Sequence, residues 1–327
     1  MSRGLGACAV LVVLPFLLGA ASVASDEPEV EFTFQDPAIV ESSGLAVVDG
    51  LYVSVNDSGD SARVFTVDPT DGYTVGVSYW NGDPEDDEAV APAGDGSVWV
   101  ADIGDNLAQR PSVEVLKVPV GRGDRTVEPE RHELVYPDGP HDAETLLVSP
   151  TTGQLFVVTK GVFGGTVYAA PDPLVDGPNP MTPLGDVLGL ATDGAFFPDG
   201  EHVVLRDYTR AVVYSLPTLE PVGSVDLPTQ EQGESIAVDD EGRLFVGSEG
   251  RDSDVLRVRL PTEVREAMGT VPPVATAQSS PFPGIQSREG RELPEATTYS
   301  PAAWPWFLTG LIAVGFLMVL LRSMRTR

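Results

Sequence analysis

The feature that most constrains this chain is a unit that returns five times. An acidic residue heads a short apolar strand at Glu41 (ESSGLAV), Glu88 (EAVA), Glu144 (ETLLV), Asp193 (DGAFF) and Glu234 (ESIAV). Each strand ends in a small turn containing glycine: VDG, AGDG, TTG, PDG and DEG. A second strand then opens at Leu51, Val98, Leu155, Val203 and Leu244, which lies 10, 10, 11, 10 and 10 residues beyond the acid. A third strand follows a polar loop (RVFTVD, VEVLKVP, TVYAAP, AVVYSLP, VLRVRLP). Four of the five units add a weaker fourth (TVGVSYW, RHELVYP, PLGDVLG, PVGSVDL). Val, Phe, Tyr and Leu fill the strands and Gly, Pro and Asp fill the breaks, as strand and turn chemistry demand.

Four short strands recurring at a spacing of about 45 residues predict the blades of an all-β propeller. The count gives five blades. Six is the alternative, if residues 262–290 or one long loop carry a degenerate blade. A β-sandwich does not predict a fivefold repeat. The last unit lacks its outer strand, and Glu29–Phe34 (EVEFTF) is expected to supply it and so close the ring.

Two apolar segments flank the repeats. Arg3, the run Ala7–Ala20 and the small residues Ser22-Val23-Ala24 predict a signal peptide over residues 1–24. Ala302–Leu321 is 20 residues without charge, long enough for one transmembrane helix. Trp304 and Trp306 stand at its start, and Arg322, Arg325 and Arg327 follow it. Arginines stay on the cytoplasmic side, so the expectation is a single-pass protein at the cell membrane with its propeller outside and residues 322–327 inside. The predicted organisation is signal peptide 1–24, propeller 25–261, a stalk rich in Pro, Ser and Thr over 262–301, and transmembrane helix 302–321. Leu293-Pro294-Glu295-Ala296-Thr297 departs from the sortase pattern Leu-Pro-x-Thr-Gly at its last two positions. Attachment to a cell wall is therefore not expected.

All 49 acidic residues lie between the two apolar segments, together with 16 of the 20 Lys and Arg, which leaves that stretch at −33. Such a field repels nucleic acid and attracts cations and basic partners. Nucleic acid is thereby excluded as a partner; an unidentified surface protein or small ligand is expected. The bias of 18 Arg to 2 Lys suits a GC-rich bacterial genome. The one cysteine, Cys8, lies in the signal segment, so the exported part has neither disulfides nor cysteine metal sites.

In a propeller, the loop before each first strand and the loop after each second strand open on the same face. The five repeated acids are therefore expected to converge at one mouth of the channel, where like charges oppose ionisation. Neutralisation by Lys160 and Arg206, a bound Ca²⁺ or other divalent cation, and simple hydration of a wide ring are the three physical answers. Asn56-Asp57-Ser58-Gly59-Asp60 and Asp102-Ile103-Gly104-Asp105-Asn106 have the oxygen-rich composition of calcium loops. Neither has EF-hand spacing, and Asp, Asn and Gly also build turns. No Gly-x-Ser-x-Gly elbow and no glycine-rich phosphate loop is present. The three histidines, His132, His141 and His202, read as polar surface residues. If the mouth is catalytic, a metal-activated water with a carboxylate base is the chemistry it suits, with Glu88 and Glu144 as candidates.

The phrases ESSGLA, VNDSGD, VWVADIGDN, HDAETLLVSPTTGQLFVVTK, TDGAFFPDGEHVVLRDYT and GESIAVDDEGRLFVG together resemble a family of secreted bacterial β-propellers without an established common function. More distantly, the blade pattern is similar to gluconolactonase and NHL-repeat propellers. That resemblance implies a divalent cation held at the channel mouth by Glu, Asn and Asp from separate blades. By residue type Glu41, Asn106 and Asp193 match those parts. With the ring acids Glu144 and Glu234 they form the candidate ligand set. Two functions follow as expectations: a membrane-anchored binding module at the cell surface, or a cation-dependent hydrolase of a lactone or phosphate ester.

Overall fold

The computed structural model describes residues 28–57 and 59–269. The predicted signal peptide, most of the stalk, the predicted membrane helix and the basic tail lie outside the described residues. Among the described residues no helix is long and apolar enough to cross a membrane.

Strands β1 to β22 form five antiparallel blades. Blade 1 is β2 (Ser42–Val48), β3 (Leu51–Asn56), β4 (Arg63–Val67) and β5 (Thr74–Trp80). Blade 2 is β6 (Asp87–Pro92), β7 (Ser97–Asp102), β8 (Val113–Pro119) and β10 (Glu130–Val135). Blade 3 is β11 (Ala143–Val148), β12 (Leu155–Thr159), β13 (Gly165–Ala169) and β15 (Thr182–Val187). Blade 4 is β16 (Asp193–Phe196), β17 (His202–Arg206), β18 (Arg210–Ser215) and β19 (Glu220–Asp226). Blade 5 is β20 (Ile236–Val238), β21 (Leu244–Val246) and β22 (Asp254–Val258), completed by β1 (Glu29–Thr33) from the other end of the chain.

That last pairing is the closure expected from EVEFTF. β1 runs antiparallel to β22, with Glu29 opposite Arg257 and Thr33 opposite Asp254. Phe32 and Phe34 drive it into place. Both are buried, and Phe32 sits 4.8 Å from the ring of Tyr52, which in turn meets Phe245 at 5.4 Å. The clasp therefore ties blade 5 to blade 1 through an edge-to-face aromatic stack.

Five hydrophobic clusters hold the ring, one at each junction between neighbouring blades. Middle strands are packed from both sides, which explains why they read as continuous apolar runs rather than alternating ones. Every residue of β7 and β12 is buried, for example.

Among the described residues there is no sixth blade. Two long loops do carry strands, but as fifth strands on a neighbour's edge. β9 (Arg125–Val127), between β8 and β10, lies parallel to β5 of blade 1. β14 (Pro178–Pro180), between β13 and β15, lies parallel to β10 of blade 2. The first dock requires Gly76, where a Cβ would sit 2.2 Å from the carbonyl oxygen of Gly121. Buried Asn179 fastens the second, its amide donating to the carbonyls of Glu133, Val175 and Gly177. Unpaired edges invite association with other chains, and these additions cover two of them. Residues 262–269, read from sequence as the start of the stalk, form helix α1 (Thr262–Gly269), which packs Val264 over Gly223 of β19.

Candidate functional site

Backbone register decides which side chains reach the channel mouth. In blades 1, 2 and 3 a bulge interrupts pairing of the first and second strands, between Ser42 and Gly44, Asp87 and Ala89, and Ala143 and Thr145. The extra residue at each bulge is Ser43, Glu88 and Glu144. Bulges commonly re-aim one side chain in this way. Glu234 takes the matching place in blade 5: the Glu249 N–H donates to Gln232, as the Lys160 N–H donates to Asp142 in blade 3.

Blade 4 breaks the pattern. Asp193 pairs in regular register with Arg206, so its side chain turns into the wall. It is fully buried, and the N–H groups of Gly194 and Ile236 donate to its two oxygens at 2.7 and 2.8 Å. Burial raises its pKa well above the ordinary value against those hydrogen bonds. Arg206 is equally buried, and its Nη1 donates to the carbonyls of Ser235 and Gly247. Arg206 therefore acts in the wall between blades 4 and 5 and is not the exposed counter-charge expected at the mouth.

The other ligands expected from sequence also separate. Glu41 lies two residues ahead of the blade 1 bulge and is exposed; Ser43 stands at the bulge in its place. Asn106 is exposed on the β7–β8 loop. Glu144 and Glu234 do come together, around Lys160. The Lys160 ammonium pairs with Glu144 and lies 5.5 Å above the ring of Tyr208. Burial opposes the lysine's charge, but Glu144 outweighs it and the pKa rises. Burial lifts Glu144 to about 8, with Lys160 pulling the other way.

A second centre, beside this pair, lies between blades 1 and 2. Carboxylate oxygens of Asp57, Asp86 and Glu88 fall within 4.8 Å of one another. Asp57 follows β3, Asp86 precedes β6, and Glu88 is the bulge residue. Ser43 donates to Glu88 at 3.1 Å across the blade boundary. The backbone of Gly104 closes one side: a Cβ there would stand 2.3 Å from Asp86 Oδ2 and 2.7 Å from Glu88 Oε1. Only glycine leaves the two carboxylates room to converge. Asp86 is lifted to about 6, first by burial, then by Asp57, with which it shares a hydrogen bond. Burial and the charges of Glu144, Asp57 and Asp86 lift Glu88 to about 10. Glu249, across the mouth, is lifted to about 7 by burial and by Glu234, Asp57 and Glu41.

The remaining loop acids make turns. Asp60 holds Arg63, Asn56 and the Ser61 N–H. Asp102 accepts the N–H groups of Glu85 and Asp86 and pairs with Arg110. Asp105 caps Gln109 and Arg110. The histidines are not uniformly superficial: His132 and His202 are buried beside Glu130 and Asp199, and His141 alone is partly open.

Sequence reasoning reached Glu88 and placed Asp57 among the loop acids, but passed over Asp86. Its signal was the run Pro84-Glu85-Asp86-Asp87-Glu88, in which Asp86 and Glu88, two positions apart, converge across Asp87.

The fold and the site define an all-β, five-bladed propeller with a carboxylate-rich mouth. No protein-family model matches the chain, and no curated protein matches it either. Among solved structures it is similar to a Bacteroides uniformis ATCC 8492 protein assigned as a 6-phosphogluconolactonase. The two share 14% identity over 68% of each chain, with a TM-score of 0.38.

Proposed function

We propose that this chain is a membrane-anchored, extracytoplasmic binding module whose mouth holds a divalent cation between Asp57, Asp86 and Glu88. The observation that carries the reading is the convergence of those three carboxylates from two blades against Gly104. Without a cation, burial and mutual repulsion favour protonation of the cluster, most strongly at Glu88. A hard dication would replace those protons, and Ca²⁺ takes carboxylate, hydroxyl and water oxygens readily. The three carboxylates suit such an ion, which would supply positive charge at the mouth and a point of attachment for an oxygen-bearing ligand. Location outside the membrane rests on the apolar run at residues 7–20 and on the uncharged run at 302–321 with its trailing arginines.

The test is calcium titration of the full-length chain by calorimetry, with metal content measured after dialysis. Uptake at about millimolar calcium or below, lost in Asp86→Asn and in Glu88→Gln, supports the reading. Absence of uptake at that concentration overturns it. Calcium-dependent hydrolysis of a lactone or phosphate ester, abolished in Glu144→Gln, would instead make the chain a hydrolase.

A further inference from the structure

We propose that the rim of the mouth over blades 2 to 4 is a docking surface for a protein that presents an apolar segment flanked by basic side chains. The inference deepens the reading above and rests on the mouth being a binding site. Ten large apolar side chains are exposed among the described residues, and five of them stand on this one rim: Leu107, Val162, Phe163, Leu190 and Tyr208. Single exposed apolar residues need no explanation; an arc of them around a charged opening does.

The arc is built to hold its shape. Val162 and Phe163 form the tip of the Lys160–Gly164 loop, with Phe163 fully exposed. Gly161 and Gly164 let that loop fold tightly, since a Cβ on Gly161 would lie 2.0 Å from the Gly164 carbonyl oxygen. Leu190, at φ 56°, occupies the left-handed region that a branched side chain rarely adopts, and its N–H donates to Gly161 at 2.9 Å. Asp142 fastens the other side. Its carbonyl accepts the Lys160 N–H and its carboxylate accepts the Asp105 N–H, both at 2.9 Å. One residue thus ties the loop of Phe163 to the loop of Leu107. Pre-set aromatic and aliphatic side chains of this kind anchor protein interfaces, because little ordering remains to be done on binding.

Charge selects the occupant. Inside the arc lie the carboxylates of the mouth. Outside it, beside Leu107, a cleft of about 810 Å³ adds six carboxylate side chains beyond Asp86 of the mouth, among them Asp83, Glu85 and Asp105, against one cation, Arg110. Apolar anchors between two negative fields complement a partner that carries Lys or Arg on either side of an apolar contact. An anionic membrane surface meets repulsion here.

Three peptides of equal length test this on the full-length chain by fluorescence anisotropy: lysine–leucine, lysine–serine and serine–leucine. The lysine–leucine peptide is expected to bind tightest. Phe163→Ser should weaken it about tenfold and leave the lysine–serine peptide unchanged, and added salt should weaken both. Because Phe163 is exposed, its replacement leaves the core intact, which thermal melting checks. Equal affinity for the serine–leucine peptide, or an unchanged lysine–leucine affinity in Phe163→Ser, overturns the proposal. So does self-association of the chain that Phe163→Ser abolishes, because the rim would then be a contact between copies. Calcium uptake measured on Phe163→Ser separates this outcome from failure of the cation site: the variant should take up calcium as before.

Discussion

The carboxylate of Asp193 accepts the backbone N–H of Ile236 at 2.8 Å and so joins the innermost strands of blades 4 and 5. It does so without solvent, holding the Gly194 N–H with its second oxygen. Asp193→Ala should cost about 2–4 kcal/mol, because the buried N–H groups of Gly194 and Ile236 both lose their acceptor. Asp193→Asn keeps one acceptor oxygen and should cost less. Urea unfolding of both variants measures the difference, and equal small losses would remove Asp193 from the wall's support.

Gly104 gives a test of the candidate cation site that leaves every carboxylate in place. In Gly104→Ala the new methyl group would press on Asp86 Oδ2 and Glu88 Oε1 and drive them apart. Calcium affinity should fall at least about tenfold, since Ca²⁺ needs its oxygen ligands together at about 2.3–2.6 Å. Calorimetric titration against wild type decides it; an unchanged affinity places the ion elsewhere.

Lys160 is the cation that lets Glu144 sit beside Glu234. Lys160→Met should destabilise the fold by about 1–3 kcal/mol, below the range for a fully buried pair, because 19% of the lysine side chain remains exposed. The double variant Lys160→Met, Glu144→Met should recover much of that loss, since no unpaired charge is then buried. A double-mutant cycle in denaturant reads the coupling.

Stability should fall as pH rises. Burial and the charges of Asp102 and Asp86 lift Asp87 from 3.8 to about 8, and Asp86, Glu88, Glu144 and Glu249 are also raised. The folded state therefore binds more protons than the unfolded state across this window. The contribution is fully present below the unfolded values, near 4, and is lost as pH climbs through the folded ones. Thermal melting in chelator should give a Tm that declines from about pH 5 to about pH 8. Saturating calcium should flatten the decline, because an ion that replaces the protons of Asp86 and Glu88 removes part of the linkage.

The ring was legible because its cause is periodic. Five strand pairs buried on both faces must read as five apolar runs, and β1 was recognisable as the missing outer strand from Phe32 and Phe34. The site was legible only in part, because a carboxylate's destination depends on one residue of register. Glu88 and Glu144 sit on bulges and reach the channel. Asp193, at the same offset from its second strand as Glu88, meets Arg206 without a bulge and enters the wall. Glu41 falls two positions short of its bulge. A bulge leaves no composition signal, so the repeat predicted five acids at the mouth where the backbone delivers Glu88, Glu144 and Glu234, and recruits Asp57 and Asp86 from loops. The two borrowed strands were hidden for a related reason: RTV and PNP are three residues each, too short for a pattern to register.

Those loans give the circle a seam. Blade 1 ends on a piece of blade 2, and blade 2 ends on a piece of blade 3, so excising either lender would also strip its borrower. Between blades 3 and 4 no strand changes hands. The same holds between blades 4 and 5, where new termini cut into residues 228–231 would interrupt a partly exposed loop while leaving all five sheets whole, so that junction is a place to reopen the circle by permutation.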